Sequence, residues 1–162
     1  MTEVVEKIDI TSILLDLSSS LNLKIGKDFI FFLDSTLLRI WFFTEKAKSK
    51  FNAAILTCPE LLEKGVFINE DIAEKHSIPM NDRKYGDLAW WANEGTLVFP
   101  DFFHNNTPYK GMHGYAPITD STYGTCFITG ENIKPSYEEE IKLNNVFDLL
   151  VEMLEVKWLD LV

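Results

Sequence analysis

Several features that would place a chain in a large protein class are scarce in these 162 residues. There are only two cysteines, Cys58 and Cys126, and they are not in a Cys-x-x-Cys spacing, so they can form at most one bridge and cannot by themselves supply a structural zinc site. Two buried thiols are the expectation. Long hydrophobic runs are also missing. Runs such as Phe29 to Leu33 and Ile40 to Phe43 fall far short of the ~20 residues that a membrane helix requires. The opening Met1-Thr2-Glu3 lacks a basic region followed by an unbroken apolar core, so no secretory signal is expected and the chain reads as cytoplasmic. Positive charge is in short supply: 15 Lys and Arg face 25 Asp and Glu, a net charge of −10. A surface so acidic repels phosphate backbones and anionic lipid heads alike, which argues against nucleic acid and membrane as partners. Neither a repeat nor a charge block longer than Glu138-Glu139-Glu140 marks a linker.

What the chain does hold is apolar and aromatic. With 46% hydrophobic residues, 12 Phe and 4 Trp it can build a sizeable core, and its length fits one domain or one domain with an appendage. Ile10, Ile13, Leu14, Leu17 and Leu21 recur at steps of three and four, which predicts a helix over about 9–22 with Asp9 or Thr11 as cap. Phe29 to Leu33 and Leu37 to Phe43 are extended in character and flank the turn residues Asp34-Ser35-Thr36, so a hairpin is expected. Thr44 can cap a helix whose Ala47, Phe51, Ala54 and Ile55 share a face, leaving Lys46, Lys48 and Lys50 mostly solvated. Pro59 starts a short helix closed by Gly65 as a left-handed cap, and Glu70 to His76 forms another turn or two. Asp87 to Ala92 and Thr96 to Phe99 flank Asn93-Glu94-Gly95 as hairpin strands would. Tyr123 to Thr129 is a strand candidate, and Val146, Leu149, Leu150, Met153 and Leu154 mark an amphipathic helix.

That order predicts a mixed α/β, or α+β, fold. The segments 29–43 and 88–99 are expected to form one small, mainly antiparallel sheet covered by the helices at 9–22 and 44–55, since aromatic strands need a covered face.

Candidate chemistry concentrates in residues 101–122, a polar stretch with Pro108, Gly111, Gly114 and Pro117 that reads as a long irregular loop. In Lys110-Gly111-Met112-His113-Gly114-Tyr115 one histidine stands between two glycines, which let the backbone bring an imidazole up to a metal or an anion. A histidine that hydrogen-bonds locally to fix the loop is the alternative. Asp101, His104 and His113 supply a carboxylate and two imidazoles, enough in principle for an open zinc site, although their spacing matches no established motif. His76 follows a lysine in a charged helix and reads as solvated. Trp90 and Trp91 point to opposite faces of a strand, so at most one is open to a given ligand. Arg39, between apolar neighbours, is expected to pair with Asp34 or a glutamate rather than with phosphate.

Three segments occur together in a recognisable order: Phe32-Leu33-Asp34-Ser35-Thr36-Leu37-Leu38-Arg39-Ile40-Trp41-Phe42, Lys84-Tyr85-Gly86-Asp87-Leu88, and Lys110 to Tyr115. They resemble the C-terminal part of the alkaline phosphatase superfamily, in its type I phosphodiesterase and nucleotide pyrophosphatase branch. Cys126-Phe127-Ile128-Thr129-Gly130 and Asn145 to Leu150 are similar to that branch's closing strand and helix, so the resemblance spans about residues 25–156. It implies an inserted α/β subdomain over about 1–100, then a segment over 101–162 comprising a metal-ligand loop and a returning strand and helix of the alkaline phosphatase-like core. It also implies that His113 ligates one of two catalytic metals, usually zinc. The chain departs from the family at Ala116, where Asp is usual, without touching the ligand. The family's nucleophilic Thr or Ser, its N-terminal Asp, its Asp-x-x-x-His pair and its Asp-His-Gly motif have no counterpart here, and Asp34-Ser35-Thr36 falls in the inserted subdomain as a turn.

Three readings follow. The leading one is a C-terminal fragment of a metal-dependent hydrolase, contributing His113 but no catalytic residue and inactive alone. Its zinc or other divalent metal and its small phosphodiester or nucleotide substrate would belong to the complete enzyme, and its partner would be a second copy of itself or the missing N-terminal half. The alternative is a non-catalytic binding or regulatory module, its acidic surface selecting cationic or metal-bridged partners. The third is a small autonomous metalloenzyme built on Asp101, His104 and His113.

Overall fold

A computed structural model describes residues 1–117, 123–130, 140–143 and 145–153. They divide into two compact units, Met1–Tyr123 and Gly124–Val162. The first contains β1 (Thr2–Glu3), β2 (Glu6–Ile8), α1 (Ile10–Ser20), β3 (Phe29–Asp34), β4 (Leu37–Phe42), α2 (Glu45–Ile55), α3 (Pro59–Lys64), β5 (Gly65–Phe67), α4 (Glu70–Lys75), β6 (Leu88–Ala92), β7 (Thr96–Val98) and β8 (Gly111–Met112). The second contains α5 (Asn145–Met153). The fold is mixed α/β, with small, mainly antiparallel sheets and a few helices.

Alternation of side chains decides the main sheet, whose strands run in the order β3-β4-β6-β5, all antiparallel. Phe29, Leu33, Leu38, Ile40, Phe42, Leu88, Trp90 and Ala92 point inward and are buried. They meet Ile10 and Leu14 of α1, Ala47, Phe51 and Ile55 of α2, and Leu61 of α3 in a single core. Phe51 is the keystone of the aromatic part, its ring centroid 4.7 Å from Phe29 and 5.7 Å from Phe42. Both expected caps form: the Asp9 carboxylate accepts from the Ser12 N–H at the start of α1, and the Thr44 hydroxyl from the Ala47 N–H at the start of α2. Each satisfies one of the backbone donors that a first helical turn leaves without a partner.

The expected pairing of Leu88–Ala92 with Thr96–Phe99 does not form. β6 lies between β4 and β5, so both of its edges are already hydrogen-bonded and none is left for β7. Asn93-Glu94-Gly95 still turns the chain, with Gly95 at φ +87°, but β7 pairs parallel with β2 in register Glu6↔Thr96 to Ile8↔Val98. A third pair joins β1 to β8.

Gly65 is not a left-handed cap either; its φ of 179° is extended, because it is already the first residue of β5. Its need for glycine is spatial: a Cβ there would stand 2.2 Å from Trp90 Cζ2 and 2.4 Å from the Trp91 carbonyl oxygen.

In the second unit α5 agrees with the expected helix as far as Met153, and Leu154 lies outside the described residues. The expected strand over Tyr123–Thr129 is absent: residues 123–130 have no ladder, and Cys126 and Phe127 are exposed. A strand exists only as a member of a pair, and no described segment offers this one a partner. The expectation of two buried thiols fails as well: Cys126 lies in this unpaired segment and is exposed, Cys58 precedes α3 in the first unit and is half-buried, and both are free. Among the described residues no helix is long and apolar enough to cross a membrane.

Candidate functional site

The tip of the β3–β4 hairpin gathers the loops that carry the candidate residues. Asp34-Ser35-Thr36 is a turn, as its composition predicts, with the Ser35 N–H donating to Asp34 Oδ1 at 2.7 Å. The tip is buried, and its carbonyls accept from arriving strands: Ser35 from the Val98 N–H and Thr36 from the Ala92 N–H. The Phe102 N–H donates to Leu33 in the same way. Two hydroxyls then reach past the backbone, Ser35 Oγ to Asp101 Oδ2 at 2.7 Å and Thr36 Oγ1 to the Gly114 carbonyl at 2.9 Å.

Asp101 is the first anchor. Its side chain is 1% exposed and accepts from Ser35 Oγ, from the backbone N–H groups of Phe103 (2.8 Å) and His104 (2.6 Å), and lies 3.2 Å from His104 Nδ1. Burial raises the carboxyl pKa, but the hydrogen bonds from Ser35, His104 and Phe103 outweigh it and hold the group below the usual aspartate value. The contact order is therefore Ser–Asp–His, with the hydroxyl donating to the carboxylate. A serine nucleophile needs its proton on an imidazole, and a carboxylate held ionised by hydrogen bonds from Ser35, Phe103 and His104 is a weak base, so the trio fixes a loop and does not activate Ser35.

The second anchor fixes Lys110 to Tyr115. Pairing with β1 holds Gly111 and Met112, and the Val4 N–H donates to the Lys110 carbonyl at 2.9 Å. Beyond them the Gly114 carbonyl accepts from both Thr36 Oγ1 and Trp91 Nε1, each at 2.9 Å. Gly114 has φ +92°, a conformation that favours glycine, and a Cβ there would stand 3.1 Å from Thr36 Oγ1. Met112 and Tyr115 are buried, and the Tyr115 hydroxyl donates to the Thr96 carbonyl. Between these fixed neighbours His113 is exposed, and its imidazole has no hydrogen bond or ion pair among the described residues. It does not fix the loop; the loop is fixed around it.

The structure separates the sequence candidates. Asp101 and His104 are in contact, but no three His, Cys, Asp or Glu side chains among the described residues form a group able to hold a metal, so Asp101, His104 and His113 do not make one centre. Their loops are anchored at two neighbouring residues of the hairpin tip, Ser35 and Thr36. Trp90 and Trp91 do point to opposite faces: Trp90 is buried and donates to the Leu61 carbonyl, while Trp91 secures the His113 loop. His76 is half-buried rather than solvated, edge-on to Trp91 at 5.7 Å. Arg39 forms no ion pair with Asp34 or with any described glutamate; its guanidinium lies over the rings of Phe32 (5.0 Å) and Trp41 (6.0 Å). A shallow depression along α4, lined by Ile68, Asn69, Glu70 and Ala73 among others, contains none of these residues.

Missed by sequence reasoning were the roles of Thr36 and Trp91 in holding Gly114. The one signal that could have led to them is that a buried turn hydroxyl and an indole N–H both need an acceptor. Comparison with protein-family models, with curated proteins and with solved structures finds no match to this chain.

Proposed function

We propose that this chain is the C-terminal portion of a metal-dependent hydrolase of the phosphodiesterase and nucleotide pyrophosphatase type, related to the alkaline phosphatase superfamily, with His113 as its one metal-ligating residue. The observation that carries the reading is an imidazole without a partner among the described residues, exposed between neighbours anchored on both sides. A ligand histidine must keep one ring nitrogen clear of the protein, and at His113 the loop is anchored through its neighbours, which leaves the imidazole open for a metal on one nitrogen and a supporting hydrogen bond on the other.

One imidazole does not hold a divalent ion against water, so no step of hydrolysis is assigned to this chain alone. A two-metal site needs several carboxylates and histidines to keep its ions about 4 Å apart, with a nucleophile between them. These would come from an N-terminal half, together with strand neighbours for residues 123–129, which pair with no strand among the described residues. The exposed Phe127, Leu143, Leu150 and Met153 in the second unit favour such a partner. The test is reconstitution. The isolated chain should give no zinc-dependent hydrolysis of a nitrophenyl phosphodiester above buffer. Addition of a chain bearing the missing motifs should restore it, and His113→Ala should abolish the restored activity. Turnover by the isolated chain that depends on His113 would overturn the proposal.

A second reading, a non-catalytic binding module descended from the same subdomain, is favoured by the first unit having a closed core of its own, from Ile8 to Tyr115. Failure of every N-terminal chain to restore activity, with the unit folded, would select it.

A further inference from the structure

The outer face of the β3-β4-β6-β5 sheet carries a cation that has no counter-ion among the described residues. Arg39 stands there between Phe32, its partner across the hairpin, and Trp41, two residues along the same strand. Its guanidinium rests over both rings, and in a chain of net charge −10 it has no hydrogen bond and no ion pair among the described residues. Nε is buried without a partner. The nearest carboxylate by register, Asp34 on the same face, spends Oδ1 on the Ser35 N–H. Other cations nearby are neutralised: Arg83 bonds Asp87 and the Phe42 carbonyl, and Lys84 pairs with Asp82. A guanidinium is a planar fork of five donors that suits oxyanions, and ring contacts on its flat sides hold it rigid without using the fork.

Beside it lies an exposed aromatic surface. The Phe32 ring is 5.0 Å from the Arg39 guanidinium carbon and 5.0 Å from the Phe102 ring, with Phe103 edge-on at 5.9 Å. Phe102 is 72% exposed and Phe103 60%, although both sit on a loop that Asp101 pins to the hairpin. Two rings held in water by a fixed loop, next to a rigid unpaired cation, form an apolar platform with one charged end.

We infer that Arg39, Phe32, Phe102 and Phe103 form a binding site for a small aromatic oxyanion, the oxyanion accepting from the Arg39 fork and the ring stacking on Phe102 and Phe103. The long-range field of the chain repels anions, so binding rests on contact between the fork and the ring surface, and affinity should fall with added salt less than it would for a surface lysine patch. The site does not depend on metal ligation by His113.

Titration of the full chain with phenylphosphonate and with benzoate, followed by calorimetry and by the Arg39 side-chain N–H resonance, tests it. Inorganic phosphate serves as the oxyanion-only probe and benzyl alcohol as the ring-only probe. Saturable binding of at least one aromatic oxyanion, about tenfold or more tighter than either half-probe, is expected, and the stronger of the two arms names the oxyanion as phosphonate-like or carboxylate. Arg39→Gln should abolish it. Phe102→Ala, at an exposed position that leaves the core alone, should weaken it about threefold to tenfold while leaving weak phosphate binding unchanged. Absence of saturable binding by both aromatic probes, a half-probe binding as tightly as the better aromatic oxyanion, or unchanged affinity in Phe102→Ala would each overturn the inference. Should Arg39→Gln fail to fold, the Phe102→Ala comparison decides alone.

Discussion

Replacing Asp101 by alanine removes a carboxylate that joins two parts of the fold distant in sequence, the hairpin tip at Ser35 and the loop turn at residues 101–104. Hydrogen bonds to a charged group contribute roughly 1.5–3 kcal/mol each, and a buried donor left without a partner costs roughly 1–3 kcal/mol. The three acceptor contacts to Ser35, Phe103 and His104 are not additive, since the two backbone groups lie within a loop that can take up water once released. The buried Ser35 hydroxyl cannot. A destabilisation of about 3 kcal/mol is expected, close to 10 °C in Tm for a unit of this size. The pH dependence carries a sign. The folded carboxyl pKa lies below its ordinary value, so the folded state binds fewer protons, and this contribution is complete above about pH 4 and is lost as pH falls through the folded pKa. Asp101→Asn should therefore flatten the acid side of the stability profile as well as lowering stability at neutral pH. Urea denaturation followed by circular dichroism from pH 3 to 7 measures both. An Asp101→Ala chain within about 0.5 kcal/mol of the parent, or an unchanged acid limb in Asp101→Asn, would refute the reasoning. Zinc should leave the difference untouched.

Gly65→Ala should destabilise the first unit by about 3 kcal/mol, because the new Cβ meets both a buried indole ring and a backbone oxygen, and only the ring can be removed by a second substitution. Trp90→Phe should therefore recover part of the loss, and strict additivity in the double mutant, read by thermal denaturation, would contradict the steric account. In the second unit, the exposed side chains of Phe127, Leu143, Leu150 and Met153 should recruit a second copy when no other partner is present. Sedimentation velocity should show a concentration-dependent dimer, and a clean monomer at high micromolar concentration with amides 123–129 protected from exchange would exclude it.

What could be read from the sequence was local. Asp9 and Thr44 announced their helices because a cap works through a bond three residues away, and Phe29 to Phe42 announced a hairpin because alternation and turn chemistry agree. Competition for edges could not be read. Whether Thr96–Val98 pairs with Leu88–Ala92 depends on β4 and β5 occupying both edges of that strand, and β5 is only three residues long and begins on a glycine. At the candidate site the sequence marked His113, but the residues that support its loop are a threonine in the hairpin turn and a tryptophan in β6, joined through one carbonyl oxygen. Arg39 was expected to find a carboxylate in a chain rich in them; the pleat instead set it among rings, and composition carries no information about facing.

The parallel pairing of β2 with β7 has a consequence for synthesis. Glu6 and Thr96 are 90 residues apart, and the hydrogen bond between their side chains, like the pairing of Thr2 with Met112, cannot form until the intervening hairpin and helices have emerged and closed. Contacts of such long separation form late, because the loop they close must already be structured before they are favourable. During synthesis β1 and β2 therefore stay unpaired while the main sheet assembles behind them. They pair late, and the His113 loop, held through Thr2, Glu3 and Val4, is fixed with them.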